Sequence, residues 1–244
     1  MIDRLIAMEA AYTEARAGVI AAREGNPYGA ATRRDSAAFA VQVAGVPSPW
    51  LNRASGLGDP ALVPVLAEWF GPIAWRAETW ADRCTAPLSA TLIAAGKRPN
   101  GGDSVVCGRP MTRTRTTVED ADIDLFIETH LAGLGIPHDV QPLAKANMRG
   151  WQALSGWHFL LARRDGAPAG TCVLFLQEDL AYLADMATVP AFRQRGVQTE
   201  LLAECHRRAA GCSAIWARCR FGSQSHRNLT RAALATLCTT IFWG

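Results

Sequence analysis

The sequence lacks any apolar segment near the ~18 uninterrupted residues that a membrane-spanning helix needs, so no membrane partner is expected. It also lacks a basic half. The net charge of +3 comes from 25 basic and 22 acidic residues, and either side of residue 112 the counts are 11 against 10 and 14 against 12. Without a concentrated positive surface, nucleic acid is not an expected partner either. No C-x-x-C pair occurs among the seven cysteines. Cys205, Cys212 and Cys219 are evenly spaced, but the patterns around them predict a helix, a turn and a strand, so no metal site is expected. Reduced thiols, and a start (Met1-Ile2-Asp3-Arg4) without the basic and apolar regions of a secretory leader, predict a cytoplasmic location. Tyrosine is scarce, at positions 12, 28 and 182 alone. Apolar residues are abundant: at 49% hydrophobic and 19% charged the chain can bury a substantial core, which excludes disorder.

Periodicity predicts an alternation of helices and strands. In the first half a helix is expected over 1–24, a strand over 37–46, a glycine loop over 52–58, a helix from Pro60 to Phe70, a strand over 73–78, a helix over 86–95 and a strand over 104–107. The second half predicts helices over 119–133 and 140–154, a hairpin from 157–163 and 170–177, and a strand over 181–189. A helix from 197, a strand over 214–219, a helix over 226–236 and a last strand over 237–243 follow. The two halves thus carry elements in a similar order, as a diverged internal duplication would.

The informative segment is Thr188-Val-Pro-Ala-Phe-Arg193-Gln-Arg195-Gly196-Val197-Gln198. A strand runs into a turn with one glycine and two arginines, and an amphipathic helix starts there, with Val197, Leu201, Cys205 and Ala209 on one face. Such a turn gathers free backbone N–H groups at the positive end of a helix dipole, and the arginines add charge-assisted hydrogen bonds. Gly196 lets a bulky anion approach the backbone. The turn therefore suits a pyrophosphate. Its few glycines and missing Lys-Ser/Thr pair exclude a P-loop.

Arg193-x-x-Gly196-x-Gln198 resembles the pyrophosphate signature of the GNAT superfamily of N-acyltransferases, Gln/Arg-x-x-Gly-x-Gly/Ala. The stretch from Gly222 to Leu234, with Asn228, is similar to the one in which that family places an asparagine against the pantetheine arm. The resemblance implies the GNAT fold, a mixed and mostly antiparallel sheet flanked by helices. Residues 113–244 would form the catalytic acyl-CoA-binding domain, and residues 1–112 a degenerate GNAT-like half. It further implies acetyl-CoA as co-substrate and no metal. The binding residues it implies are Ala187, Thr188 and Val189 of the strand, Arg193, Gln194, Arg195, Gly196, Val197 and Gln198 of the turn, and Asn228. Gln198 stands where the signature has a small residue, and the tyrosine with which the family protonates the leaving thiolate has no counterpart.

The mechanism the resemblance implies is direct attack of an amine on the thioester. A splay between strands 181–189 and 214–219 would admit the acyl-pantetheine arm, and a free N–H near Ala187 would polarise the carbonyl. The amine must lose a proton, and Asp185 on the strand is the candidate base, with His226 at a helix start as a second candidate. Each has a plainer reading, as a salt-bridged strand carboxylate and a capped surface histidine. The acceptor is open between a small-molecule amine, an aminoacylated carrier and a protein amine, and the protein itself is expected to be a monomer or homodimer. A non-catalytic acyl-CoA sensor is the alternative, favoured by the missing tyrosine. Arg53-x-x-Gly56-x-Gly58 also fits the signature, but Asp59-Pro60 follow it and an acidic helix cap repels phosphate, so a structural copy is expected there.

Overall fold

The computed structural model describes residues 1–112 and 116–244; residue 113, where the second half was expected to begin, lies outside the described residues. The chain divides into two compact units, one of residues 1–104 with 238–244 and one of residues 105–237.

In the first unit, helix α1 (Ile2–Ala21) buries Leu5, Ile6, Met8 and Tyr12. Strands β1 (Ala30–Asp35) and β2 (Ala38–Val43) form an antiparallel hairpin, and β3 (Arg53–Leu57) pairs antiparallel with β2. Helix α2 (Leu62–Phe70) crosses over to β4 (Arg76–Trp80), which lies parallel to β3 as such a crossover requires. Helix α3 (Ala86–Ala94), capped by Thr85, and the short β5 (Pro99–Gly101) follow.

The glycine loop expected over 52–58 is a strand. Arg53 is buried, its guanidinium held by Glu9 at 3.1 Å, Glu78 at 2.9 Å and the Thr13 hydroxyl at 3.1 Å. A buried charge survives only with such partners. Gly56, at φ +73°, leaves no room for a side chain, since a Cβ would lie 2.8 Å from both the Ala37 carbonyl oxygen and Ile6. The second copy of the arginine–glycine pattern therefore serves packing. The sequence reading also missed β1, because its Ala-Ala-Thr-Arg-Arg-Asp has no apolar alternation.

The second unit opens with β6 (Ser104–Gly108), whose first residue belongs to the first unit, and the two-residue β7 (Glu119–Asp120). Helix α4 (Ile123–Leu134) is capped by the Asp122 carboxylate, which accepts from the N–H groups of Asp124 and Leu125, and ends on left-handed Gly135. Helix α5 (Gln141–Arg149) tightens into a 3-10 turn over Gly150–Ala153. Strands β8 (Trp157–Arg164), β9 (Ala167–Gln177) and β10 (Leu180–Thr188) form an antiparallel meander. Helix α6 (Val197–Arg208) leads to β11 (Ala214–Cys219), parallel to β10. Helix α7 (Gln224–Arg231) and β12 (Ala235–Trp243) end the chain's elements. The helix expected over 226–236 is shorter and earlier: Ser223 caps its start and Ala233, at φ 66°, breaks it. The unit's sheet runs β6-β11-β10-β9-β8-β7.

Neighbouring residues of a strand point to opposite faces. On one face of β9, Thr171 Oγ1 lies 3.1 Å from His130 Nδ1 of α4. On the other, Cys172 Sγ lies 3.8 Å from Cys205 Sγ of α6. The meander is thus sandwiched between α4 and α6. The Cys205 contact and burial push the Cys172 thiol well above its ordinary range, so it is an inert core group.

The order β1-β2-β3-β4 repeats the order β8-β9-β10-β11, with a parallel crossover last and a bulge in the third strand of each set. By topology β3 matches β10. The final strand was expected to belong to the second half. Instead Thr240–Trp243 pair antiparallel with Trp80–Ala77 of β4, and Trp243 Nε1 donates to Thr79 Oγ1 at 3.0 Å. Each unit is therefore completed by a strand from the other half of the sequence.

Helix α6 is anchored by Glu204, 2% exposed, whose carboxylate accepts from Arg207, Arg208 and Thr116. The Arg207 guanidinium first, then Arg208 and Thr116, holds its carboxyl down at about 2 against an ordinary 4.5. A depressed carboxyl stabilises the fold above the unfolded pKa and loses that contribution as pH falls. Acid unfolding between about pH 4.5 and 2 should therefore be blunted in Glu204→Gln, which starts less stable at neutral pH. Parallel acid titrations of both proteins, followed by circular dichroism, check this; equal slopes would remove Glu204 from the acid response.

Candidate functional site

In the second unit, β10 and β11 pair only from Leu180–Ala214 to Leu183–Ala217. Beyond that point β10 bulges between Ala184 and Ala187, with Asp185 at φ 45°, and no longer pairs with β11. The splay expected between these strands is present. Val189 N–H donates to the Ala169 carbonyl at 2.9 Å, so the N–H groups on that side of β10 face β9. The two-residue alternation turns the N–H of Ala187 itself to the same side; the oxyanion donor is expected near Ala187. The N–H of Thr188 faces the opening instead.

The chain then turns through Pro190–Phe192 into a loop with two left-handed residues, Gln194 at φ 62° and Gly196 at φ 76°. Gly196 is the N-cap of α6, no side chain caps that helix, and its first backbone bond runs from Glu200 N–H to Gly196 O at 3.1 Å. The amides of Val197, Gln198 and Thr199 are thus left to point at whatever lies before the helix. This is an anion cradle at the positive end of a dipole.

These elements enclose a cavity of about 810 Å³. Ala187, Thr188, Arg193, Gln194, Gly196, Val197, Gln198 and Asn228, all residues that the resemblance assigns to acyl-CoA binding, line it. Val189, Arg195, Asp185 and His226 do not. Arg195 turns to Asp165 at 2.7 Å, on the hairpin turn between β8 and β9. Arg193 donates to the carbonyls of Thr188 at 3.4 Å and Gly133 at 3.1 Å, tying the loop to the end of α4. Asp185 sits half-buried in the bulge. His226 Nε2 lies 3.1 Å from Thr236 Oγ1, and its backbone N–H donates to the Ser223 hydroxyl.

Sequence reading missed Gly133 and Leu134 of α4 and Gln224 and Ser225 of α7 as cavity walls. Gly133 carried a signal: a Cβ there would lie 2.8 Å from the Ala187 Cβ and 3.2 Å from Thr188 N, so only glycine lets α4 press on β10. Among the described residues no tyrosine lines the cavity; Tyr182 is stacked on Trp216, with ring centroids 4.2 Å apart. Nor, among the described residues, do three or more His, Cys, Asp or Glu side chains gather as metal ligands. No helix of the described residues is long and apolar enough to cross a membrane.

Residues 126–232 match the model of the acetyltransferase (GNAT) family. No curated protein matches the chain. Among solved structures, the chain is similar to a GCN5-related N-acetyltransferase from Kribbella flavida, at 18% identity and a TM-score of 0.62 over 94% of this chain and 95% of that one. It is similar to a conserved protein of unknown function from Staphylococcus epidermidis, at 9% identity and 0.64 over 90% and 95%. A tandem GNAT protein from the clavulanic acid biosynthesis pathway gives 12% and 0.56 over 89% and 83%. At these identities the likeness is one of fold, and it extends along nearly the whole chain.

Proposed function

We propose that this chain, whose residues 126–232 match the model of the acetyltransferase (GNAT) family, is an N-acyltransferase that moves an acetyl group from acetyl-CoA to a primary amine. The observation that carries the reading is the uncapped start of α6 behind Gly196, opening on the 810 Å³ cavity where β10 parts from β11. The amides of Val197, Gln198 and Thr199 would hold the pyrophosphate. The unpaired edge of β10 would receive the pantetheine amides as a strand receives a neighbour. In this reading the Thr188 N–H, and not that of Ala187, polarises the thioester carbonyl. The amine nitrogen attacks that carbonyl carbon, a tetrahedral oxyanion forms, and the C–S bond breaks to release the CoA thiolate.

Asp185 is the assigned base. Because its carboxylate is not on the cavity wall, the proton reaches it through one water. Asp185→Asn is then expected to lower kcat/KM by about 10²-fold, the scale of a positioned base, while acetyl-CoA affinity stays level. Steady-state kinetics beside calorimetric titration tests this, and undiminished turnover would return Asp185 to a structural role in the bulge. The degenerate role of the first unit is part of the proposal: its copy of the arginine–glycine pattern lies in buried strand β3. Release of free thiol from acetyl-CoA, measured over a panel of small and protein amines, tests the function as a whole.

A second reading, an acyl-CoA sensor without turnover, is favoured by one observation: no tyrosine among the described residues reaches the cavity to protonate the thiolate. Tight acetyl-CoA binding with no thiol release across the panel would establish it.

A further inference from the structure

Gln198 carries a side chain where the pyrophosphate signature has none to speak of, and that side chain does not lie idle. Its Nε2 donates to Ser225 Oγ at 3.1 Å, and its Oε1 accepts from Asn228 Nδ2 at 2.6 Å. Both partners stand on α7 and both line the cavity with Gln198 itself. Asn228 is fixed further: its Oδ1 accepts from Gln224 Nε2 at 2.9 Å and from Arg231 at 3.2 Å. One amide thus spans the cavity from the first turn of α6 to α7. The Asn228 carbonyl oxygen already accepts two hydrogen bonds, and one N–H of its amide is already given to Gln198.

We propose that Gln198 is a polar clasp that sets acyl-CoA affinity. A pantetheine arm that takes up Asn228 has to open the clasp, so binding is weaker than the cavity alone would give. This rests on the acyl-CoA reading above, and it gives the departure from the signature a role: a small residue there leaves α7 free, and glutamine ties it down. A population-shift argument fixes the sign. The free energy that holds the closed arrangement is subtracted from binding, so removing the clasp tightens it.

Two variants of the full chain separate bonding from bulk. Q198A removes both; Q198M keeps the volume and removes the hydrogen bonds. Without added ligand, amide exchange over residues 224–231 should quicken about tenfold in both, as expected for the loss of one or two modest hydrogen bonds. In calorimetric titration the acetyl-CoA Kd should fall about five- to tenfold in both. Unchanged exchange in both variants overturns the clasp. A gain in affinity confined to Q198A also overturns it, because bulk and not bonding would then be the obstacle. Faster exchange with no acetyl-CoA binding by wild type or variants would leave the contact real and overturn the acyl-CoA reading on which its role rests.

Discussion

Replacing Gly196 by aspartate is expected to abolish acetyl-CoA binding while leaving the protein folded. Gly196 is left-handed at φ 76°, a region where aspartate is among the less costly non-glycine residues, and the nearest atom to a new Cβ would be Arg164 Nη2 at an ordinary 3.5 Å. An aspartate there would set its carboxylate at the start of α6, beside the first-turn amides. Those are the amides proposed to hold the pyrophosphate, and a carboxylate among them repels it as well. Lost contacts and added repulsion together should weaken binding by about 100-fold or more. On the proposed reading, acetyl-CoA at 100 times Kd should stabilise wild type by about 2.7 kcal/mol, and the variant should show no rise in Tm. Gly196→Ala, which brings strain without charge, should keep part of the shift. A full shift in Gly196→Asp would place the pyrophosphate elsewhere.

Residues 113–244 expressed alone are expected to be insoluble or molten, whereas residues 105–237 should give the better-behaved fragment. The shorter segment is one compact unit. The longer one lacks β6, which neighbours β11 and whose Val105 and Val106 are fully buried. It also carries residues 238–244, whose partner β4 is missing, so that Ile241, Phe242 and the buried Trp243 would face solvent on an open strand edge. Solubility, dye binding to exposed apolar surface and the cooperativity of denaturant unfolding compare the two. Cooperative unfolding of 113–244 with intact acetyl-CoA binding would sink the idea that each unit needs the strand it receives.

Most elements were legible because they rest on local pattern. The helices at α1, α3, α4 and α6 and the strands β8 to β11 follow from spacing, caps and turns within a residue or a few of their ends. The loop from Arg193 to Gln198 was legible for a like reason: a strand, a glycine and an amphipathic helix in succession fix a backbone that collects N–H groups. The same pattern at Arg53 misled only in being read as a loop. Nothing local tells a chain that Glu9 and Glu78, from a helix and another strand, will draw Arg53 into a core.

The α/β order, the turn that gathers backbone N–H groups and most of the residues around it follow from local pattern, because each depends on contacts between near neighbours in the chain. Long-range packing settled three others. It turned the Thr188 N–H, not that of Ala187, to the opening, because pleat parity depends on where the β10 bulge falls in its pairing with β9. It sent the Gln198 side chain across to Ser225 and Asn228, a contact between helices 27 and 30 residues apart in sequence. And it gave residues 238–244 to the first unit and 105–112 to the second, because a strand joins whichever edge offers unpaired backbone and an apolar face, and chain order does not name that edge.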